Sequence, residues 1–230
     1  RLRDLDVYLL AKTHYFSLVP DSLHSGLSLM FSVFAEERQR QLAQMVSLLE
    51  SASYTKMMSS LVEQLNSPHL FEADPPVLES TVSFARRLIW KRYKKVCNFA
   101  RRMDADAPDD EIHALRIQCK KLRYAMEFFA PLFPKKAIKQ RIKDLKQLQD
   151  NLGQFNDYAV QQRSLHAFLH DYSQHHANSV MLAGSVGALV AVLYQQQQAE
   201  RRRIIDNFLR FDSAEIRTEF AALFAQEADI

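Results

Sequence analysis

The chain has 230 residues, 47% of them hydrophobic, so it can bury a sizeable core as one large domain or two small ones. Its formal net charge of +3 hides a strong segregation: Arg86 to Lys146 holds 18 Lys and Arg against 7 Asp and Glu, and the rest holds 12 against 20. Such polarity points away from acidic partners and toward anionic ones, and says little about fold.

Only 4 Gly and 7 Pro punctuate long apolar-periodic runs, which predicts a mostly helical protein. A first helix is expected from Asp4 to about Phe16, with Pro20-Asp21-Ser22 resetting the chain and Ser22 as the N-cap of a long second helix to Leu49. A third is expected from Ser53 to Leu65. The segment Ser67 to Pro76 holds three prolines and breaks the helical pattern. A fourth helix follows from Val77 to Met103 and a fifth from Glu111 to Phe129, ended by Pro131 and Pro134. The sixth is expected to run from Lys136 to Leu152 and stop at Gly153 as a C-cap. Further helices are expected from about Asp157, Ser179 and Ser213. The longest uncharged apolar stretch, Val180 to Tyr194, is too short and too rich in Gly and Ala to span a bilayer comfortably, and reads as a buried helix. With a charged opening and no secretory pattern, the chain is expected to be cytoplasmic, without a membrane partner. Cys97 and Cys119 read as small buried hydrophobes in a reducing compartment.

Placing side chains at 100° per residue sorts the charges. On the fifth helix His113, Arg116, Lys120 and Arg123 share an arc of about 80°, opposite Leu115, Leu122, Ala125, Met126 and Phe129. On the sixth, Lys136, Lys139, Lys143 and Lys146 do the same, opposite Ile138, Leu145, Leu148 and Leu152. On the fourth, Arg87, Lys91, Lys94, Arg101 and Arg102 share a face opposite Ala85, Ile89, Val96, Ala100 and Met103. Solvated helix faces usually mix signs, because like charges three or four apart cost roughly 0.2 to 0.5 kcal/mol per pair. These rows scarcely do, so an anion that relieves the repulsion is expected.

The chain also repeats itself. Leu152 to Val160 aligns with Arg1 to Val7, pairing Asp4 with Asp157 and Val7 with Val160. Each copy continues through a helical stretch containing Gly26 or Gly187 to a basic-tipped run that holds Arg38 or Arg202. The second copy has an upstream half, His113 to Gln149, and the first does not.

The stretch from His113 to Glu127, the Leu145 to Gly153 segment followed by Asn156-Asp157, and Arg3-Asp4-Leu5-Asp6-Val7 together resemble the CHAD family, the conserved histidine α-helical domain. The resemblance covers essentially the whole chain. It implies an all-α fold of two pseudo-symmetric helical-bundle halves around a basic central cavity. Residues 1–66 would be the remainder of a first repeat, incomplete at its N-terminal side, and residues 77–230 a second. It further implies non-catalytic binding of inorganic polyphosphate, at times beside a CYTH-type triphosphatase or in polyphosphate-containing granules.

The residues expected to carry binding are His113, Arg116, Lys120, Arg123, Lys139, Lys143 and Lys146, then Arg87, Lys91, Lys94 and Arg101, with Arg38 and Arg202 from the repeat arms. Arg can grip phosphate with paired hydrogen bonds while Lys acts as a mobile point charge. His113 either donates to phosphate or hydrogen-bonds a neighbouring helix, and the two readings stand level. No cofactor is expected. His166, His170, His175 and His176 lack accompanying carboxylate or cysteine ligands at a metal-binding spacing. Trp90, Tyr93, Phe128 and Phe129 read as core, and with no stacking aromatic expected between the basic residues, nucleic acid is the weaker alternative partner.

Overall fold

The computed structural model describes residues 2–67, 79–104, 106–173 and 179–225. The protein is all-α, as its composition predicts, and among the described residues it has no strand. The helices are α1 (Leu2–Leu10), α2 (Lys12–Ser17), α3 (His24–Leu49), α4 (Ala52–Leu65), α5 (Thr81–Ala100), α6 (Asp109–Phe129), α7 (Lys135–Ser173), α8 (Ser179–Phe211) and α9 (Ala214–Phe224).

Serines set several of the starts. Ser51, Ser80 and Ser213 each accept a hydrogen bond from the backbone N–H three residues on, satisfying a donor the helix itself cannot. Helix α6 begins after Pro108 with Asp109, Asp110 and Glu111 in its first turn, where carboxylates complement the helix dipole. Ser22 does not cap α3. It sits in a 3-10 turn (Asp21–Leu23) without a capping bond, and the start of α3 is tied down instead by His24 Nε2, 2.9 Å from the Phe16 carbonyl.

The largest departure from expectation is at Gly153, which ends nothing. A single 39-residue helix, α7, runs through it and absorbs the separate helix expected from Asp157. The apolar stripe explains this: Leu145, Leu148, Leu152, Phe155 and Leu165 are each at most 1% exposed, so the burying face continues across the glycine. A mid-helix glycine costs about 1 kcal/mol relative to alanine, which burial of one such side chain more than offsets. The Ser67 to Pro76 break and the Val77 start lie outside the described residues for all but Ser67.

The chain divides into two compact units. The first comprises Arg1–Val77 and Ser164–Val192, and its core is aromatic. Tyr8, Tyr15, Phe31 and Phe34 are buried, with Phe34 packing on Tyr8 at 5.1 Å and on Phe168 at 5.0 Å between ring centroids. Helices α3 and α8 approach so closely here that a Cβ on Gly26 would lie 2.6 Å from Ser185 Cβ and 2.8 Å from the Met181 carbonyl oxygen.

The second unit comprises Leu78–Arg163 and Leu193–Ile230. Its core gathers Ile89, Tyr93 and Val96 of α5, Leu115, Leu122 and Met126 of α6, and Leu145, Leu148 and Leu152 of α7, closed by Phe208, Phe211, Phe220 and Phe224. Cys97 and Cys119 are free and buried within it. Arg141 is also buried, pairing with Asp144 at 2.9 Å and with Glu219, its guanidinium over the Phe220 ring. Among the described residues α8 is the one helix whose length and composition would let it cross a membrane. Here its Leu182, Val186, Leu189 and Leu193 are buried in the protein, each at most 1% exposed.

Candidate anion-binding surface

The basic rows sit opposite buried faces, as periodicity requires. On α6 Leu115, Leu122 and Met126 are at most 1% exposed, while His113 is exposed and Arg116, Lys120 and Arg123 are half-buried on the other side. On α7 Ile138, Leu145 and Leu148 are equally buried, and Lys136, Lys139, Lys143 and Lys146 all reach solvent. The α5 row, with Arg87, Lys91, Lys94 and Arg101, is exposed along its length.

Pairing distinguishes the rows. Arg87 donates to both carboxylate oxygens of Glu79, at 3.0 and 2.6 Å, and these bonds hold the Glu79 carboxyl below its ordinary range and raise the Arg87 guanidinium. Arg101 grips Asp212 with two bonds of 2.8 Å. Arg38 donates to Asp6 at 2.6 Å, and Arg123 lies 3.5 Å from Glu127. Lys94 lies over the Trp90 ring at 5.5 Å. By contrast Arg116, Lys120, Lys139, Lys143, Lys146, Lys91 and Arg202 have no carboxylate within 4 Å among the described residues. The fourth-helix row is thus partly neutralised by acids that a single-helix projection cannot see, one of them 111 positions away.

His113 has a partner. Its Nδ1 lies 2.6 Å from Oδ1 of the buried Asn156 on α7, so the ring N–H donates there and Nε2 is left outward. The structure therefore supplies the helix-tying bond, and joins two motif halves that lie 43 residues apart.

Sequence reasoning missed three features. Arg141 falls three residues after Ile138 and four before Leu145, the core register, and that spacing was the available signal. Tyr124 is 50% exposed between Lys120 and Arg123, whose charged ends lie 5.9 and 5.3 Å from the centre of its ring. Phe128, expected in the core, is 77% exposed. Tyr93 is buried, and Trp90 and Phe129 pack on the core from its margin.

A polar cleft of about 360 Å³ between α7 and α8 in the second unit mixes Asp150, Glu200 and Asp206 with Arg203 and Arg210, and includes no residue of the basic rows. Asn151 braces it, donating to the Glu200 carboxylate at 2.6 Å and carbonyl at 3.0 Å while accepting from Asn207 at 3.0 Å. Arg201, next to Arg202, is held by Asp109 and the Ala107 carbonyl. Among the described residues no three His, Cys, Asp or Glu side chains gather to hold a metal, and His175 and His176 lie outside those residues.

The family model of the CHAD domain matches residues 1–166. No curated protein matches the chain.

Proposed function

The chain belongs to the CHAD domain family, and from that premise we propose that it binds inorganic polyphosphate, without catalysis, through the cationic rows of α6 and α7. The observation that carries this reading is the trio Lys139, Lys143 and Lys146, exposed on successive turns with no carboxylate within 4 Å among the described residues. Neighbouring like charges on a helix repel. A flexible polymer bearing about one negative charge per phosphate relieves that repulsion all along the row and needs no base-reading surface. Arg116 and Lys120 extend the same chemistry on α6, and His113 keeps Nε2 for a further contact, its Nδ1 being held by Asn156. Such a module would work in the cytosol, holding polymer at polyphosphate-containing granules or presenting it to a CYTH-type triphosphatase.

A second reading, single-stranded nucleic acid, is favoured by Tyr124, an exposed ring among cations that could stack a base. A competition at fixed salt separates the two. Long-chain polyphosphate is expected to displace labelled single-stranded DNA at comparable phosphate concentration, with poor displacement in reverse; the opposite order would reject the polyphosphate reading.

A further inference from the structure

At one end of the second unit the start of α5, the end of α6 and the start of α7 come together. Phe84 of α5 packs edge-on against Phe129 of α6 at 6.0 Å between ring centroids, and Phe129 packs in turn against Phe128 at 4.8 Å. A 3-10 turn (Ala130–Leu132) leads from α6 toward α7, and its root is fixed by Phe133, which is buried against the Phe224 ring at 5.0 Å. The apolar side chains around this root do not all turn inward. Phe128 is 77% exposed, and Val82, Phe84 and Leu132 are 38%, 40% and 38% exposed. Together they show on the order of 300 Å² of apolar surface, a size at which a patch on a monomer is often functional.

The charges around the rings say what kind of surface they would meet. From Ser80 to Met103 and from Phe128 to Lys143 the chain has no Asp or Glu, while the two segments carry 8 and 5 Lys and Arg. Arg86, two residues beyond Phe84, and Lys135 and Lys136, which open α7, are exposed and have no carboxylate within 4 Å among the described residues. The acids at this end are already engaged, Glu79 by Arg87 and Glu127 by Arg123 at 3.5 Å. Protruding rings set among unmatched cations suit a partner that layers negative charge over hydrocarbon, which is the make-up of a bilayer surface with anionic lipids.

We propose that this end of the second unit docks on an anionic lipid surface, with Phe128 and Leu132 entering the interface and Arg86, Lys135 and Lys136 meeting the headgroups. Lys and Arg reach headgroups on long apolar stems while the rings sit deeper, so burial and charge act at the same contact. Peripheral contact needs no spanning helix. It therefore departs from the expectation of no membrane partner, which weighed only a spanning or secretory segment. It is also independent of the polyphosphate reading, because Lys139, Lys143 and Lys146 take no part in it.

The test floats the full chain on a density gradient with vesicles of phosphatidylcholine alone, or of equal parts phosphatidylcholine and phosphatidylserine. Flotation is expected with the anionic vesicles only. Phe128→Ser/Leu132→Ser should weaken it roughly tenfold or more, and Arg86→Gln/Lys135→Gln should weaken it and reduce its sensitivity to salt. The ring variant should keep its helicity by circular dichroism and its polyphosphate affinity, since neither residue is buried or lies in a basic row. Phe128→Glu, which alters only the most exposed ring, should lower flotation as well. No flotation, or flotation that both ring variants leave unchanged, overturns the proposal; in the second case the basic rows alone would hold the vesicle. A wild-type dimer by sedimentation that Phe128→Glu converts to monomer overturns it also, because a second copy would then cover the rings.

Discussion

Replacing Lys139, Lys143 and Lys146 together by Gln removes three cations that lack carboxylate partners, and the consequence is quantitative. The three residues span about 10 Å of helix at 1.5 Å per residue. That is close to one Debye length at 0.1 M salt, so they act on one stretch of polymer as a single site. By counterion release each phosphate contact on a single-stranded polyanion contributes about 0.7 to the slope of log affinity against log salt. Losing three contacts should flatten the slope by about 2, so the gap between wild type and variant should be about fifteenfold wider at 50 mM salt than at 200 mM. Fluorescence anisotropy with labelled long-chain polyphosphate across a salt series reads this directly. The control is Glu79→Gln/Arg87→Gln, which deletes an exposed ion pair without changing net charge and should leave the slope where it was. An unchanged slope in the triple variant, with helicity intact, would refute the assignment of the site to α7.

Two further measurements probe the scaffold. Gly26→Ala should cost about 1 to 3 kcal/mol in urea unfolding, because its methyl meets the Met181 backbone oxygen as well as Ser185. Gly153→Ala should instead stabilise by about 0.5 to 1 kcal/mol, since nothing lies within 4 Å of the added carbon and α7 runs through the position; a loss would mean that the helix ends there. Burial, helped by the Asp212 carboxylate, pushes the Cys97 thiol up to about 12, and burial raises Cys119 as well. Unfolded thiols ionise near about pH 8.5, so above that the unfolded state holds fewer protons; the stability from keeping them protonated is complete below about pH 8.5 and declines toward the folded values. The urea midpoint is therefore expected to fall between pH 8 and pH 10, less steeply in Cys97→Ala, and a midpoint flat over that range would contradict the burial.

Helix type and the core faces were legible because both follow from local periodicity. Leu115, Leu122 and Met126 fall on one side of α6 by spacing alone, and all three are buried. Phe128 shows where aromatic content misleads: two residues beyond Met126 is about 200° around the helix, and its ring meets solvent. Gly153 shows the limit of punctuation, because a leucine-glycine step looks like a helix end unless the stripe beyond it, through Phe155 and Leu165, is weighed against the local cost. Partners across long separations were not legible. No reading of α5 alone predicts that Asp212 reaches Arg101, and nothing in α6 names Asn156 as the acceptor for His113.

Those distant partners narrow the candidate site. On α5 the paired arginines lie toward the ends, Arg87 reaching back to Glu79 ahead of the helix and Arg101 reaching Asp212 just before α9. Each pair commits its arginine to a carboxylate rather than to a ligand. Most of the candidate cations without a carboxylate within 4 Å among the described residues fall instead along α6 and α7, at Arg116, Lys120, Lys139, Lys143 and Lys146, with Lys91 on α5 and Arg202 on α8 the others. The His113–Asn156 bond joins the start of α6 to α7 within the same unit, so it fixes how these two rows are aligned. On this account the histidine serves the anion surface chiefly as a positioning residue. Its Nδ1 is committed to the tie, and only Nε2 remains to meet a phosphate.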